Sequence, residues 1–301
     1  MHRAQEPFAR RLPRLLTEPA LFVAGVLAYF LTRGATEAAY PVAADHARRL
    51  VDLERGLGLD LERWAQGFVL PHEELVTLAN WVYIYGHWPV IAAVGLWLVW
   101  RRPGTYRWLR TAMLVSGAIG VVVFVLYPVA PPRLMPELGV ADTVTRHSSS
   151  YRVLQPPSLV NQYAALPSLH VGWDLLIGLA LLRAATGRVL RALGVLAPVA
   201  MAVAVVVTGN HYLVDVVAGV LVALTGAVVA TALERRSARR TAAPVAEAAV
   251  LSIVRQRVVT SHEEDDEEND SDDERQDGDG AGVHRSSDQS VGDSEEYVSS
   301  A

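Results

Sequence analysis

The stretch Gly209-Asn210-His211-Tyr212-Leu213-Val214-Asp215 breaks an apolar run with a sudden cluster of polar residues. His211 and Asp215 are four residues apart. On a helix that spacing puts them on one face, one turn apart, so that the carboxylate can hold the imidazole. The flanking segments, Ala192 to Thr208 and Val216 to Leu233, are almost wholly apolar. A titratable pair between two such runs is expensive in lipid unless it serves a purpose. An isolated H-x-x-x-D leaves two purposes open, a structural pin between helices or one part of a reactive site.

The chain has 301 residues, 51% hydrophobic and only 20% charged, with a positive mean hydropathy. These values predict an all-α, polytopic membrane protein. Without cysteine, disulfides and thiolate metal sites are excluded. All 27 basic residues are Arg, which also excludes lysine Schiff-base chemistry. The net charge of -5 hides two opposed parts: residues 1–260 carry +9 and residues 261–301 carry -14. The expected organisation is a cytoplasmic N-terminus (1–19), a membrane domain (20–240) and an acidic tail (241–301). The tail holds the run Glu263 to Glu268 and is too polar to bury a core, which predicts disorder. It lacks the ligand spacing of an EF-hand, and nothing in it names a partner.

Six spans are expected within the membrane domain. The first, roughly 20–39, follows Arg3, Arg10, Arg11 and Arg14. Arg33 and Glu37 interrupt the region where a signal peptide would be cleaved, which favours an uncleaved span. Residues 41–70 form an amphipathic segment in which Leu50, Leu53, Leu57, Leu61 and Trp64 recur among charges, with a break near Gly56-Leu57-Gly58. It suits the membrane interface, or a cap over the mouth of the bundle. The second span, Leu75 to Trp100, carries Asn80, Tyr83 and His87 on one face, either lining a substrate pocket or cross-linking helices. Arg101, Arg102, Arg107 and Arg110 then flank a Pro-Gly turn before the third span, Thr111 to Tyr127. Pro128, Pro131 and Pro132 end that span sharply and leave Arg133 on a stiff loop.

Pro167-Ser168-Leu169-His170 opens the fourth span, which runs to Arg183. Ser168 is an N-cap residue type, so His170 falls in a first helical turn, where backbone N–H groups favour an anion. Asp174 lies one turn deeper, facing either His170 or a polar bundle interior. The fifth and sixth spans are Leu193 to Thr208 and Tyr212 to Leu233. The four arginine-rich, acid-poor segments (the N-terminus, 101–110, 183–191 and 235–240) read as cytoplasmic by the positive-inside rule. Both termini are then inside, and Arg133, His170, His211 and Asp215 all meet at the external face of a plasma membrane.

Two histidines, an Asp, an Arg and a helix N-terminus suit phosphoryl transfer. One histidine attacks phosphorus while the Asp fixes its tautomer and stabilises its cation. The other protonates the leaving oxygen, and Arg with backbone amides holds the equatorial oxygens. None of these roles calls for a metal or another cofactor. A membrane lipid is the expected partner and nucleic acid is not. A transporter or scaffold with a polar bundle interior is the alternative class.

Pro167-Ser168-Leu169-His170 and His211-Tyr212-Leu213-Val214-Asp215 resemble the second and third signatures of the type 2 phosphatidic acid phosphatase (PAP2) superfamily. Asn161-Gln162-Tyr163-Ala164-Ala165-Leu166 and Ala130-Pro131-Pro132-Arg133 are similar to its inositolphosphotransferase-like branch, which includes the fungal inositol phosphorylceramide synthases. The resemblance covers roughly residues 75–230. It implies His211 as nucleophile, Asp215 as its partner and His170 as the acid. It also brings Asn161 toward the substrate pocket, with water or a polyol such as inositol as acceptor. The chain departs from the wider family by lacking the Lys of the first signature and by placing Val205 where an Arg precedes the third-signature histidine. The branch makes the same departures. Phosphate binding then falls to Arg133, to Arg152 or Arg146, and to Ser168 with its neighbouring backbone.

Overall fold

The computed structural model describes residues 40–147 and 161–240, with isolated positions outside them. The N-terminal segment, most of the first expected span, Arg152, the side chain of Arg146 and the acidic tail lie outside the described residues. The helices described are α1 (Tyr40–Leu57), α2 (Glu62–Val69), α3 (Glu73–Tyr85), α4 (Trp88–Arg101), α5 (Pro103–Leu126), α6 (Thr143–His147), α7 (Leu169–Ala184) and α8 (Arg188–Val207), followed by α9 (Leu213–Arg240). No strand occurs among the described residues, apart from an isolated parallel bridge between Val129 and Ala164.

Three of these helices, α5, α8 and α9, are long and apolar enough to cross a membrane. The pair α3 and α4, bent by 46°, makes a fourth if it counts as one span. Among the described residues, then, three or four of the six expected spans are found. One expected span lies outside the described residues, and α7 has only 16 residues. At 1.5 Å per residue it is ~24 Å long, short of the ~30 Å hydrocarbon core. Its start is inside the protein, because Ser168 and Leu169 are both buried.

Helix α7 is the centre of the body, with Leu169, Val171, Trp173, Leu176, Ile177 and Ala180 all buried. It packs most extensively along α8 and then α5. Gly178 and Gly194 permit the first contact: a Cβ on Gly194 would lie 2.9 Å from the Gly178 carbonyl oxygen. Close approach through small residues is how helices associate without a hydrophobic drive between them. The outer faces of α8 and α9 expose Leu196, Val199, Val203, Leu221 and Val228, as a lipid-facing surface would.

Two expectations need correction. The expected second span is not one helix, since it breaks between Tyr85 and Trp88. Pro89 lies in the first turn of α4 and has no N–H to continue the hydrogen-bond ladder of α3. His87 is thereby released from helical geometry and sits at the bend. The Pro-Gly pair after Arg102 is likewise not a turn, for Pro103 begins α5 as an N-terminal proline. Arg107 and Arg110 are therefore on that helix, within its first turns.

The amphipathic segment does fold as two helices, with Gly58 at φ +70° between them. Its apolar residues, however, mostly face outward. Leu50 is buried, but Leu57 and Trp64 are 60% and 64% exposed. The inward side of α1 is Ala43, Ala44, Ala47, Leu50 and Val51, packed on the proline loop and on Tyr212. Three polar residues complete it: Glu54, Glu62 and Gln66 are all buried.

Candidate active site

Backbone bonds bring three loops together above α7. Val129 donates to the Tyr163 carbonyl at 2.7 Å, and Ala165 donates back to Val129 at 3.3 Å. Arg133 donates its N–H to the Gly209 carbonyl at 2.9 Å. Gly209 is required where it is: its φ is +74°, and a Cβ there would sit 2.8 Å from Val140 Cγ1. Gln66 locks the assembly from α2. Its amide nitrogen donates to the carbonyls of Ala141 at 2.9 Å and Val207 at 3.0 Å, and its oxygen accepts the Ala141 N–H.

His211 does not share a helical face with Asp215, because α9 begins only at Leu213. The left-handed turn at Gly209 holds the histidine in extended chain ahead of the helix. Asp215 lies in the first turn and bends back, its Oδ2 accepting the Tyr212 N–H at 2.9 Å. That bond is the returning half of a capping box. His211 Nδ1 lies 2.8 Å from the Ala165 carbonyl oxygen and 3.4 Å from Asp215 Oδ2. A carbonyl only accepts, so Nδ1 carries the proton and Nε2 presents the lone pair. The shorter orienting contact is thus a backbone carbonyl, with Asp215 beside it.

The start of α9 is filled by carboxylates from the α1–α2 segment. Leu213 donates its N–H to Glu62 Oε1 at 2.8 Å, and Val214 donates to Glu54 Oε1 at 2.7 Å. These side chains satisfy helix donors that would otherwise be unpaired. Burial pushes the Glu54 carboxyl up to about 8 against the pull of the Val214 N–H, with the charges of Glu62 and Asp215 adding to the rise. Burial raises Glu62 as well.

The start of α7 is built the other way. The Ser168 N–H donates to the Asp215 carbonyl at 3.0 Å, which ties the two helix starts together. Gly172 and Gly219 lie at this crossing, where a Cβ on Gly172 would come 2.7 Å from the Gly219 carbonyl oxygen. Ser168 occupies the N-cap position, yet its hydroxyl makes no capping bond. That hydroxyl is buried and has no protein partner. His170 follows in the first turn. Its ring stacks on Tyr83 at 4.7 Å between centroids, lies 4.5 Å from His87, and is 5.8 Å from His211.

Asp174 does not pair with His170 but faces the polar interior of the bundle. Its Oδ1 meets His87 Nδ1 at 2.8 Å, with both side chains buried. Asn80 cross-links α3 to α6: it donates to the Thr143 carbonyl at 3.1 Å and accepts the Thr143 hydroxyl at 2.9 Å. Asn161 is buried, its Oδ1 accepting the Tyr163 N–H at 2.9 Å. Arg133 pairs with Asp142 at 3.5 Å and adjoins the Gly209 turn through its backbone. Of the expected residues, His170, His211, Asp215, Ser168, Tyr83 and His87 with Asp174 are brought together, and Arg133 adjoins them. Arg152 lies outside the described residues.

Residues 48–229 match the sequence profile of the PAP2 superfamily, well over half of the chain. The chain belongs to the PAP2 superfamily. Neither the curated proteins nor the solved structures give a match. PAP2 proteins are generally phosphatases or phosphotransferases, so a phosphatase-type phosphoryl transfer on a lipid phosphate is the activity that membership suggests. The PAP2 match starts within α1, so it includes the segment that carries Glu54 and Glu62. Those two residues, and the pairing of Asp174 with His87, escaped the reading of the sequence. The segment 41–70 is expected at the membrane interface or as a cap over the bundle mouth, and neither expectation says which of its charges turn inward. The break at Pro89 was the available signal for His87, since a proline within an apolar run releases the residues before it.

Proposed function

We propose that the protein is an integral membrane phosphatase or phosphotransferase of the PAP2 type that works through a phosphohistidine on His211. The observation that carries this reading is the 2.8 Å contact from His211 Nδ1 to the Ala165 carbonyl. It leaves Nε2 as the nucleophilic nitrogen, on a ring 5.8 Å from His170. Nε2 attacks phosphorus as the bond to the leaving lipid oxygen breaks, and protonated His170 donates a proton to that oxygen. Neutral His170 then takes the proton of the acceptor hydroxyl, which attacks phosphorus and releases His211. Asp215 stabilises the His211 cation. The Ser168 hydroxyl and the first N–H groups of α7 bind the phosphate, with Arg133, Arg146 and Arg152 as the candidate guanidinium groups.

The arginine pattern supports a plasma-membrane protein with both termini inside and the site at the external leaflet. A reporter attached after residue 240 and found outside would reverse that orientation. The motifs favour the inositolphosphotransferase-like branch, in which a polyol competes with water as acceptor. A cavity of about 630 Å³ between α1, α2 and the 137–140 loop is lined by Arg55, Asp60, Glu62 and Arg63 together with Trp64, Phe68 and Leu138. Neither His170 nor His211 lines it, so the acceptor reading stands on the motifs.

Purified protein given radiolabelled lipid phosphates tests the assignment. His211→Ala is expected to lower turnover by ~10³-fold or more and to abolish an acid-labile phosphoenzyme. Label trapped on another residue, or wild type as inactive as the variant across substrates, overturns it. A new phospholipid formed only when inositol is added identifies the transferase.

A further inference from the structure

His170 has a buried neighbour with the construction of a catalytic dyad. His87 and Asp174 are 3% and 4% exposed, and their Nδ1–Oδ1 separation is 2.8 Å. They come from different elements, the bend between α3 and α4 and the second turn of α7. The His87 ring lies 4.5 Å from His170 on one side. It also stacks on Trp173 at 6.0 Å with 12° between planes, which fixes its orientation. The bend at Pro89 is what lets His87 reach this place.

We propose that His87 and Asp174 are positioning residues that hold His170 and keep it protonated for its role as acid. The inference rests on His170 having that role. A carboxylate acceptor fixes the His87 proton on Nδ1 and adds a negative charge one ring away from His170. A nearby negative charge favours the imidazolium. The acid has to be cationic when the leaving oxygen departs, so the pair extends the working range toward higher pH. Among the described residues, the other titratable groups whose rings or charges lie near His170 include Tyr83 from α3 and, from the start of α9, His211 with Asp215. From α5 and α8 the residues packed around this part of α7 include Ser116, Gly120, Met201 and Val205, none of them charged.

The arrangement makes the pair's effect separable from that of His211. Asp174→Asn keeps the shape and removes the charge. It is expected to lower kcat on a lipid phosphate by ~10²-fold, the low end of what general acid catalysis contributes. KM should change little, and the alkaline limb of the pH–rate profile should move to lower pH. An aryl phosphate, whose leaving group needs no proton, should still form phosphoenzyme at nearly the wild-type rate. The double variant His87→Phe, Asp174→Leu removes the pair without stranding a buried charge, and should show the same limb shift and the same sparing of the aryl ester. An unmoved pH profile, or equal losses on both substrates, overturns the proposal and leaves a helix cross-link. Absence of phosphoenzyme in the wild type would instead strike the His211 reading, so the two failures are distinguishable.

Discussion

Two helix starts meet at the centre of this protein, and they are finished in opposite ways. The first N–H groups of α9 are occupied by protein carboxylates: Asp215 on Tyr212, Glu62 on Leu213 and Glu54 on Val214. At α7 the N-cap hydroxyl of Ser168 is buried and makes no capping bond. A helix start attracts anions whether they come from the protein or from a ligand. One of the two has its N–H groups taken up by carboxyl oxygens of the fold, which anchors it and holds His211 just ahead of it. At the other, the proposed mechanism puts the phosphate, with His170 in the first turn. On that proposal the difference separates a nucleophile end, anchored by protein groups, from a substrate end.

The strongest way to break that contrast is to give α7 an anion of its own. Ser168→Asp places a carboxylate at the N-cap, where Asp is among the best residues for helix stability. The expected result is a melting temperature unchanged or raised, together with a loss of kcat/KM of about 10³-fold, the scale of losing an oxyanion contact. Ser168→Ala removes the hydroxyl without adding charge and should lose about tenfold to a hundredfold, with little change in stability because no cap bond is given up. Retained activity in Ser168→Asp would mean that phosphate binds elsewhere.

What was legible in the chain follows from range. Local patterns survived: Pro167 to His170 does open a helix, His211 and Asp215 are within reach of each other, and the fifth and sixth apolar runs are helices α8 and α9. Geometry that depends on distant chain did not. The shortest contact to His211 Nδ1 is the carbonyl of Ala165, and a backbone carbonyl has no letter in the sequence. Asp174 could be placed one turn below His170, but its partner is 87 residues away. Glu54 and Glu62 belong to a segment expected at the membrane interface or as a cap over the bundle mouth, and its local pattern does not say which charges turn inward. The two that do are those that meet the N–H groups of Val214 and Leu213.

The smallest expected effect sharpens the α9 half of the contrast. The Glu54 carboxyl lies at about 8, well above its ordinary 4.5, chiefly because it is buried. A raised folded-state value means that its contribution to stability is fully present below about 4.5 and is lost as pH rises toward 8. Above that range Glu54 is charged beside Glu62 and Asp215, and the hold of the α1–α2 segment on α9 weakens. Glu54→Gln keeps an oxygen for the Val214 N–H and cannot ionise. It should therefore match the wild type below about pH 4.5 and exceed it in thermal stability by a margin that widens as pH rises toward 8. Parallel melting curves across that range, with no convergence at low pH, would show that Glu54 is ionised throughout and that its burial does not govern the hold on α9.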